Sequence, residues 1–190
     1  MKKSFFTVGI GASAGGQRSL CEFFDHINAD NNVAYVVVTH LLRNKLSLLD
    51  EILSRHTLLP VVRIENNMLI SAGNIYVMVE NTTIEVSHGW LRLKQRDEKI
   101  QNDAVDIFFN SLADDFQEKA IGIILSGGGQ DGLQGSIWIN HMGGNVMVED
   151  PESAEVKGMP SSIVNFDHPT AIMSPAELAK EINYLCRQQY

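Results

Sequence analysis

The chain has 190 residues, 44% of them hydrophobic, which suits one globular domain with a full core. Its net charge of −8 argues against a nucleic-acid binder, which needs a positive footprint. No apolar run is long enough to cross a bilayer as a helix, and Met1-Lys2-Lys3-Ser4-Phe5-Phe6 lacks the apolar stretch and cleavage site of a secretion signal, so a cytoplasmic protein is expected.

The first predicted element is a buried strand, Phe5 to Ile10. It runs into Gly11-Ala12-Ser13-Ala14-Gly15-Gly16, and an amphipathic helix follows over Ser19 to Ile27. Val33 to Thr39 is near-continuously apolar, as expected of a strand covered on both faces. Ser47-Leu48-Leu49-Asp50 reads as a capping box opening a helix to Arg55, with Leu48, Leu49, Ile52 and Leu53 facing the core. Val61 to Ile64 and Asn74 to Glu80 are further strands. From Thr83 to Gln95 apolar and polar residues alternate around His88-Gly89, which predicts an antiparallel hairpin with one wet face.

Arg96 to Asn102 is polar and reads as a loop. Asp103 can cap the next helix, whose core stripe is Val105, Phe108, Phe109, Leu112 and Phe116. Ala120 to Leu125 is a buried strand that enters a second glycine-rich turn, Ser126 to Gly132. A helix to about Met142, a strand over Asn145 to Val148 and a loop from Glu149 to Pro160 follow. The last helix opens with Ser174-Pro175-Ala176-Glu177 and buries Leu178, Ile182 and Leu185. Cys21 and Cys186 fit no metal or redox spacing and read as small buried residues on helices. The alternation predicts a single α/β domain over residues 1–190, with a doubly wound, mostly parallel sheet and an antiparallel hairpin.

In such sheets ligands bind at the carboxyl ends of the strands. Ser13, His40 and Asp131 all fall there. A serine hydroxyl needs a base to take its proton, and that base needs an orienting acid. His40 can be the base and Asp131 the acid, with the amides of Ala14 and Gly15 near the helix start as oxyanion donors. Each residue also has a plainer reading. Ser13 can cap the helix after it, His40 can be a strand-end histidine satisfied by a carbonyl, and Asp131 can cap its own helix. Gly9-Ile10-Gly11-Ala12-Ser13-Ala14 also matches a dinucleotide fingerprint, but Thr39-His40 stands where the ribose-binding acid belongs. An α/β-hydrolase would place several strands before the serine and order the triad Ser, acid, His.

The order Ser, His, Asp with these motifs resembles the catalytic domain of chemotaxis protein-glutamate methylesterases (CheB-type). It is most similar to the version fused to a methyltransferase in hybrid proteins. Ile10-Gly11-Ala12-Ser13-Ala14-Gly15-Gly16 resembles the family's nucleophile motif. Val36-Val37-Val38-Thr39-His40 resembles its strand ending in Gln-His. Leu125-Ser126-Gly127-Gly128-Gly129-Gln130-Asp131-Gly132 resembles its acid motif. Asp150-Pro151-Glu152-Ser153-Ala154 with Gly158-Met159-Pro160 resembles the loop that closes the active-site side, and Val105-Asp106 the helix start after the hairpin. The chain departs at Thr39, at Leu41, Leu42 and Arg43 in place of prolines, at Gly128 in place of methionine, and at Gln101-Asn102 in place of a basic pair.

The resemblance implies Ser13 as nucleophile, His40 as base and Asp131 as orienting acid, with Leu41, Arg43, Gly128 and Met159 on substrate-side loops. It implies hydrolysis of glutamyl methyl esters on the cytoplasmic helices of methyl-accepting chemotaxis receptors, and deamidation of glutamine at the same site. No metal or cofactor is implied. A receiver or methyltransferase domain acting in trans is an implied partner, and nucleic acid or membrane insertion is not. Because the chain begins at the first catalytic strand, no receiver domain is expected within it. A non-catalytic binding module of the same fold and an esterase for small esters are the competing expectations.

Overall fold

The computed structural model describes residues 4–29, 32–40, 46–95 and 103–187. Strand β1 (Phe6–Ala12) leads to helix α1 (Gly16–Asp25), then β2 (Val33–Thr39), α2 (Leu49–Leu53), β3 (Val61–Arg63), β4 (Met68–Leu69) and β5 (Ile75–Val77). The hairpin β6 (Thr82–Ser87) and β7 (Trp90–Gln95) precedes α3 (Ala104–Phe116), β8 (Ala120–Ile124) and α4 (Leu133–His141). β9 (Asn145–Glu149), α5 (Gly158–Phe166), β10 (Ala171–Met173) and α6 (Pro175–Arg187) complete the chain.

The main sheet has seven strands in the order β10-β9-β8-β1-β2-β5-β3, and every pairing in it is parallel. Strand period two divides the core. Val33, Tyr35 and Val37 pack with α1, α2 and α6, while Ala34, Val36 and Val38 join the cluster of α3, α4 and α5. β1 and β2 are buried along their whole length, as a sheet covered on both faces requires. Helix α3 lies directly on β1. A Cβ on Gly9 would stand 2.9 Å from the Phe108 and Phe109 rings, and one on Gly11 would stand 2.5 Å from Val105. The two glycines of the apparent dinucleotide fingerprint thus serve helix–sheet contact.

The hairpin is as expected, with His88 (φ 54°) and Gly89 (φ 81°) at its tip. The short strand β4, which the sequence pattern did not predict, makes it a three-stranded antiparallel sheet in the order β4-β7-β6. Its inner residues Ile84, Val86 and Leu91 pack into the α3 side of the core.

Other expectations change. The helix at Ser47 is only five residues long. Asp50 pairs with Arg63 (3.0 Å) instead of closing a capping box, and Leu48 is half exposed. Arg63 also pairs with Glu80 at 2.9 Å. The loop ends earlier than Pro160, because α5 begins at Gly158 and accommodates the proline in its first turn, where no helical N–H is needed. The edge strand β10 also lay outside the predicted elements. Leu185 is only partly buried, as is Cys21, while Cys186 is buried. The predicted loop at Arg96 to Asn102 lies outside the described residues.

Candidate active site

The sheet grows in opposite directions from β1: β2, β5 and β3 lie on one side, β8, β9 and β10 on the other. That switch point opens a crevice at the carboxyl ends of β1 and β8. Ser13 follows β1, His40 follows β2, and the turn from Ser126 to Asp131 follows β8. Backbone bonds fasten the three segments together. Leu125 N–H donates to Gly11 O (2.9 Å), Ser13 N–H to Ser126 O (2.9 Å) and His40 N–H to Ala12 O (3.4 Å).

His40 Nε2 and Asp131 Oδ2 are 2.6 Å apart, with the histidine ring 18% and the carboxylate 5% exposed. The carboxylate has further partners. Oδ2 accepts the N–H of Val105 (3.0 Å) and Oδ1 that of Asp106 (2.9 Å), in the first turn of α3. Asp131 therefore caps α3 and not its own helix, where Gly132 holds the N-cap position in the left-handed region. Asp103, the expected cap of α3, makes no side-chain cap bond. The positive end of α3 thus faces a carboxylate that also touches the imidazole.

Asp106 answers from the other side. Its Oδ1 accepts the Gly135 N–H in the first turn of α4 (2.8 Å). Each helix is capped by an acid outside it, Asp131 for α3 and Asp106 for α4. Burial pushes the Asp106 carboxyl up to about 6; the Asp131 and Asp103 carboxylates add to the rise, and the Gly135 and Gly132 amides oppose it.

The turn at Ser13 is built around Ser126, which is fully buried. Ser126 Oγ donates to Ala14 O (2.8 Å) and accepts the Val156 N–H (3.0 Å). Gly15 is the N-cap of α1, in the left-handed region (φ 74°), and α1 has no side-chain cap bond, so Ser13 does not cap it. Gly15 and Gly16 do not open space beside Ser13. A Cβ on Gly15 would sit 2.6 Å from Ser126 Oγ, and one on Gly16 would sit 2.7 Å from the Ala12 Cβ. Ser13 itself is half-buried and Ala14 is exposed.

A cleft of about 450 Å³ adjoins the pair, lined by His40, Asp131, Asp106, Asp103, Gly128 and Gln134 among others. Gly128 is thus on the cleft, and a Cβ there would meet nothing closer than Val156 at 3.9 Å. Met159 is not. It is fully buried, its N–H bonds Gly127 O (2.8 Å), and its sulfur packs against Gly127, because α5 points it into the core. Leu41 and Arg43, with Leu42, Gln101 and Asn102, lie outside the described residues.

Three residues at this end of the sheet were missed as participants: Ser126, Glu149 and Asp106. Ser126 and Asp106 stood inside the motif matches and Glu149 at a strand end, but nothing in the sequence marked out what any of the three bonds. Other histidines have structural partners: His26 bonds Glu22 O (2.9 Å), His56 pairs with Asp25 (2.9 Å) and His141 stacks on Trp138. Among the described residues no group of three or more His, Cys, Asp or Glu side chains could hold a metal ion.

Residues 8–182 match the family model of the CheB methylesterase. The chain is 33% identical over 180 residues to a protein-glutamate methylesterase/protein-glutamine glutaminase of Trichodesmium erythraeum, covering 92% of this chain and 51% of that protein. It is 30% identical over 177 residues to protein-glutamate methylesterase/protein-glutamine glutaminase 3 of Burkholderia orbicola, covering 92% and 52%. The chain thus spans about half the length of these curated relatives. The crystal structure of the Thermotoga maritima CheB methylesterase catalytic domain superposes with a TM-score of 0.87 at 25% identity, over 96% of this chain and 100% of that one. The fold, the strand-end crevice and these matches converge: the chain belongs to the CheB methylesterase family.

Proposed function

We propose that this chain is a catalytic domain that hydrolyses glutamyl methyl esters on the cytoplasmic helices of chemoreceptors, with Ser13 as nucleophile, His40 as base and Asp131 as orienting acid. The observation that carries the reading is the 2.6 Å His40–Asp131 contact beside the Ser13 turn, in a chain of this family. Asp131 occupies Nε2, so Nδ1 is the nitrogen left to take the Ser13 proton. Ser13 Oγ attacks the ester carbonyl, and the amides of Ala14 and Gly15 are the proposed donors to the oxyanion. His40 returns the proton to the departing methoxide, releasing methanol and leaving an acyl-enzyme. It then takes a proton from water, whose oxygen attacks the acyl carbon, and gives one to Ser13 Oγ as glutamate leaves. Attack on a glutamine side chain at the same site would release ammonia instead, in keeping with the relatives' double name.

We place the protein in the cytoplasm; among the described residues no helix is long and apolar enough to cross a membrane. A receiver or methyltransferase domain, attached or in trans, is the proposed regulatory partner. Leu41, Arg43 and Gly128 are proposed to contact the substrate.

The test is methanol release from methylated receptor helices. Wild type should release methanol, and Ser13→Ala should lose about a thousandfold or more in rate while remaining folded. Release that persists in Ser13→Ala contradicts the nucleophile. No release by wild type, with Ser13-dependent hydrolysis of p-nitrophenyl acetate, contradicts the receptor substrate.

A further inference from the structure

Glu149 ends β9 and is 2% exposed, yet it touches nothing in the cleft. It borders a separate hollow of about 130 Å³ with Arg18 and Glu22. Its Oε2 accepts the Ser126 N–H at 2.8 Å, and it hydrogen-bonds the Ser19 hydroxyl in the first turns of α1. Burial raises its carboxyl above the usual range, so a buried acid is kept here at some cost.

Ser126 explains what that acid holds. This one residue contacts the Ser13 turn twice: its carbonyl accepts the Ser13 N–H and its hydroxyl donates to Ala14 O. The same hydroxyl accepts Val156 N–H, and the next residue exchanges bonds with the loop before α5 and with that helix's first turn: Gly127 N–H donates to Val156 O (3.0 Å) and Gly127 O accepts Met159 N–H (2.8 Å). The remaining polar group of Ser126 is its own N–H, and Glu149 is the acceptor for it. Without that acceptor a fully buried amide is orphaned, and the turn can relieve it only by shifting. Any shift of Ser126 moves both anchors of the Ser13–Ala14 segment.

We propose that Glu149 is a positioning residue for the reaction: through Ser126 it fixes the backbone that carries Ser13. The proposal rests on Ser13 being the nucleophile. Acceptor geometry is what matters, and charge is not. A glutamine at 149 can accept the Ser126 N–H through Oε1 and donate to Ser19, whereas an aspartate keeps the charge but withdraws the acceptor by one methylene.

Steady-state hydrolysis of p-nitrophenyl acetate by the full chain tests this. Glu149→Asp and Glu149→Ala should each lower kcat about tenfold to a hundredfold, since small displacements of reacting groups are that costly. KM should stay within about twofold, because Glu149 lies off the cleft, and Glu149→Gln should keep kcat within about threefold. Should Glu149→Ala fail to fold, the Asp and Gln variants decide. Loss in Glu149→Gln as large as in Glu149→Asp, a loss confined to KM, or unchanged kcat in Glu149→Asp would overturn the proposal. Ser13→Ala in the same assay separates the two readings: if it remains active, the nucleophile assignment fails; if it is inactive while Glu149→Asp is unaffected, only the positioning role fails.

Discussion

Asp106 is the residue at which electrostatics and architecture conflict. Its carboxylate is needed as an acceptor by the first turn of α4, yet it is half-buried near two other acids. Burial pushes its carboxyl up to about 6 in the fold against an ordinary 3.8, so the ionised form is disfavoured by folding. The sign follows from linkage. The stability this group contributes is fully present below the unfolded value and is lost as pH rises through the folded one. Asp106→Asn keeps an Oδ1 acceptor and removes the charge. The variant should be more stable than wild type at about pH 8, and the difference should shrink as pH falls from about 6 toward about 4. Denaturant midpoints across that range check it. A variant less stable than wild type at the alkaline end contradicts this account of Asp106. Asp106 was legible only as part of a motif match, because the group that gives it meaning, the α4 amide of Gly135, is 29 positions away.

At the scale of elements, α3 links core and chemistry. Its aromatic stripe was legible from a period of 3.6, and all five predicted core residues are buried. Its cap was not. Local rules point to Asp103, whereas the acceptor is Asp131, across 25 or 26 positions of chain. Asp131 therefore combines two separable roles, the cap seen in its bonds to α3 and the proposed orienting of His40. Asp131→Ala should lose about 1–2 kcal/mol of stability from the cap. On the proposed orienting role it should also lose activity by about four orders of magnitude, the loss that removal of a triad acid brings. Ser13→Ala should lose only the activity. Thermal melts beside rates on p-nitrophenyl acetate read the two effects; an Asp131→Ala protein as stable as Ser13→Ala would contradict the capping role. The loop before α5 misled in the opposite way. Pro160 reads as a loop residue, and the resemblance implies a substrate-side loop place for Met159 beside it, but a proline is tolerated in a helix's first turn and that turn buries Met159.

Over the whole molecule, the sequence pattern carried the parallel sheet well. β1, β2 and β8 are buried on both faces and so are near-continuous apolar runs, and the segments that follow them carry Ser13, His40 and Asp131, residue types that chemistry would select. Short edge strands such as β4 and β10 were not legible, since two or three residues carry no period. The antiparallel sheet is a separate layer held to the C-terminal half of α3. Asp115 accepts the N–H of His88 (2.9 Å) and of Gly89 (2.7 Å) at the hairpin tip, and Ser111 Oγ accepts that of Val86 (3.0 Å). Both tip residues have positive φ, so the tip is held as a two-residue turn. Asp115→Ala should cost about 1–3 kcal/mol through two lost charge-assisted bonds. It should leave kcat on p-nitrophenyl acetate unchanged. A fall in kcat with no change in melting temperature would show that this layer reaches the active site after all.

The central claim is that a strand-one turn presents Ser13 as a nucleophile, with His40 and Asp131 behind it. The most direct measurement is acid quenching during turnover of p-nitrophenyl acetate, followed by peptide mass mapping. The account predicts an acetyl group on Ser13 in wild type and none anywhere in Ser13→Ala. Turnover with the acetyl group on another residue, or undiminished turnover in Ser13→Ala, would contradict it.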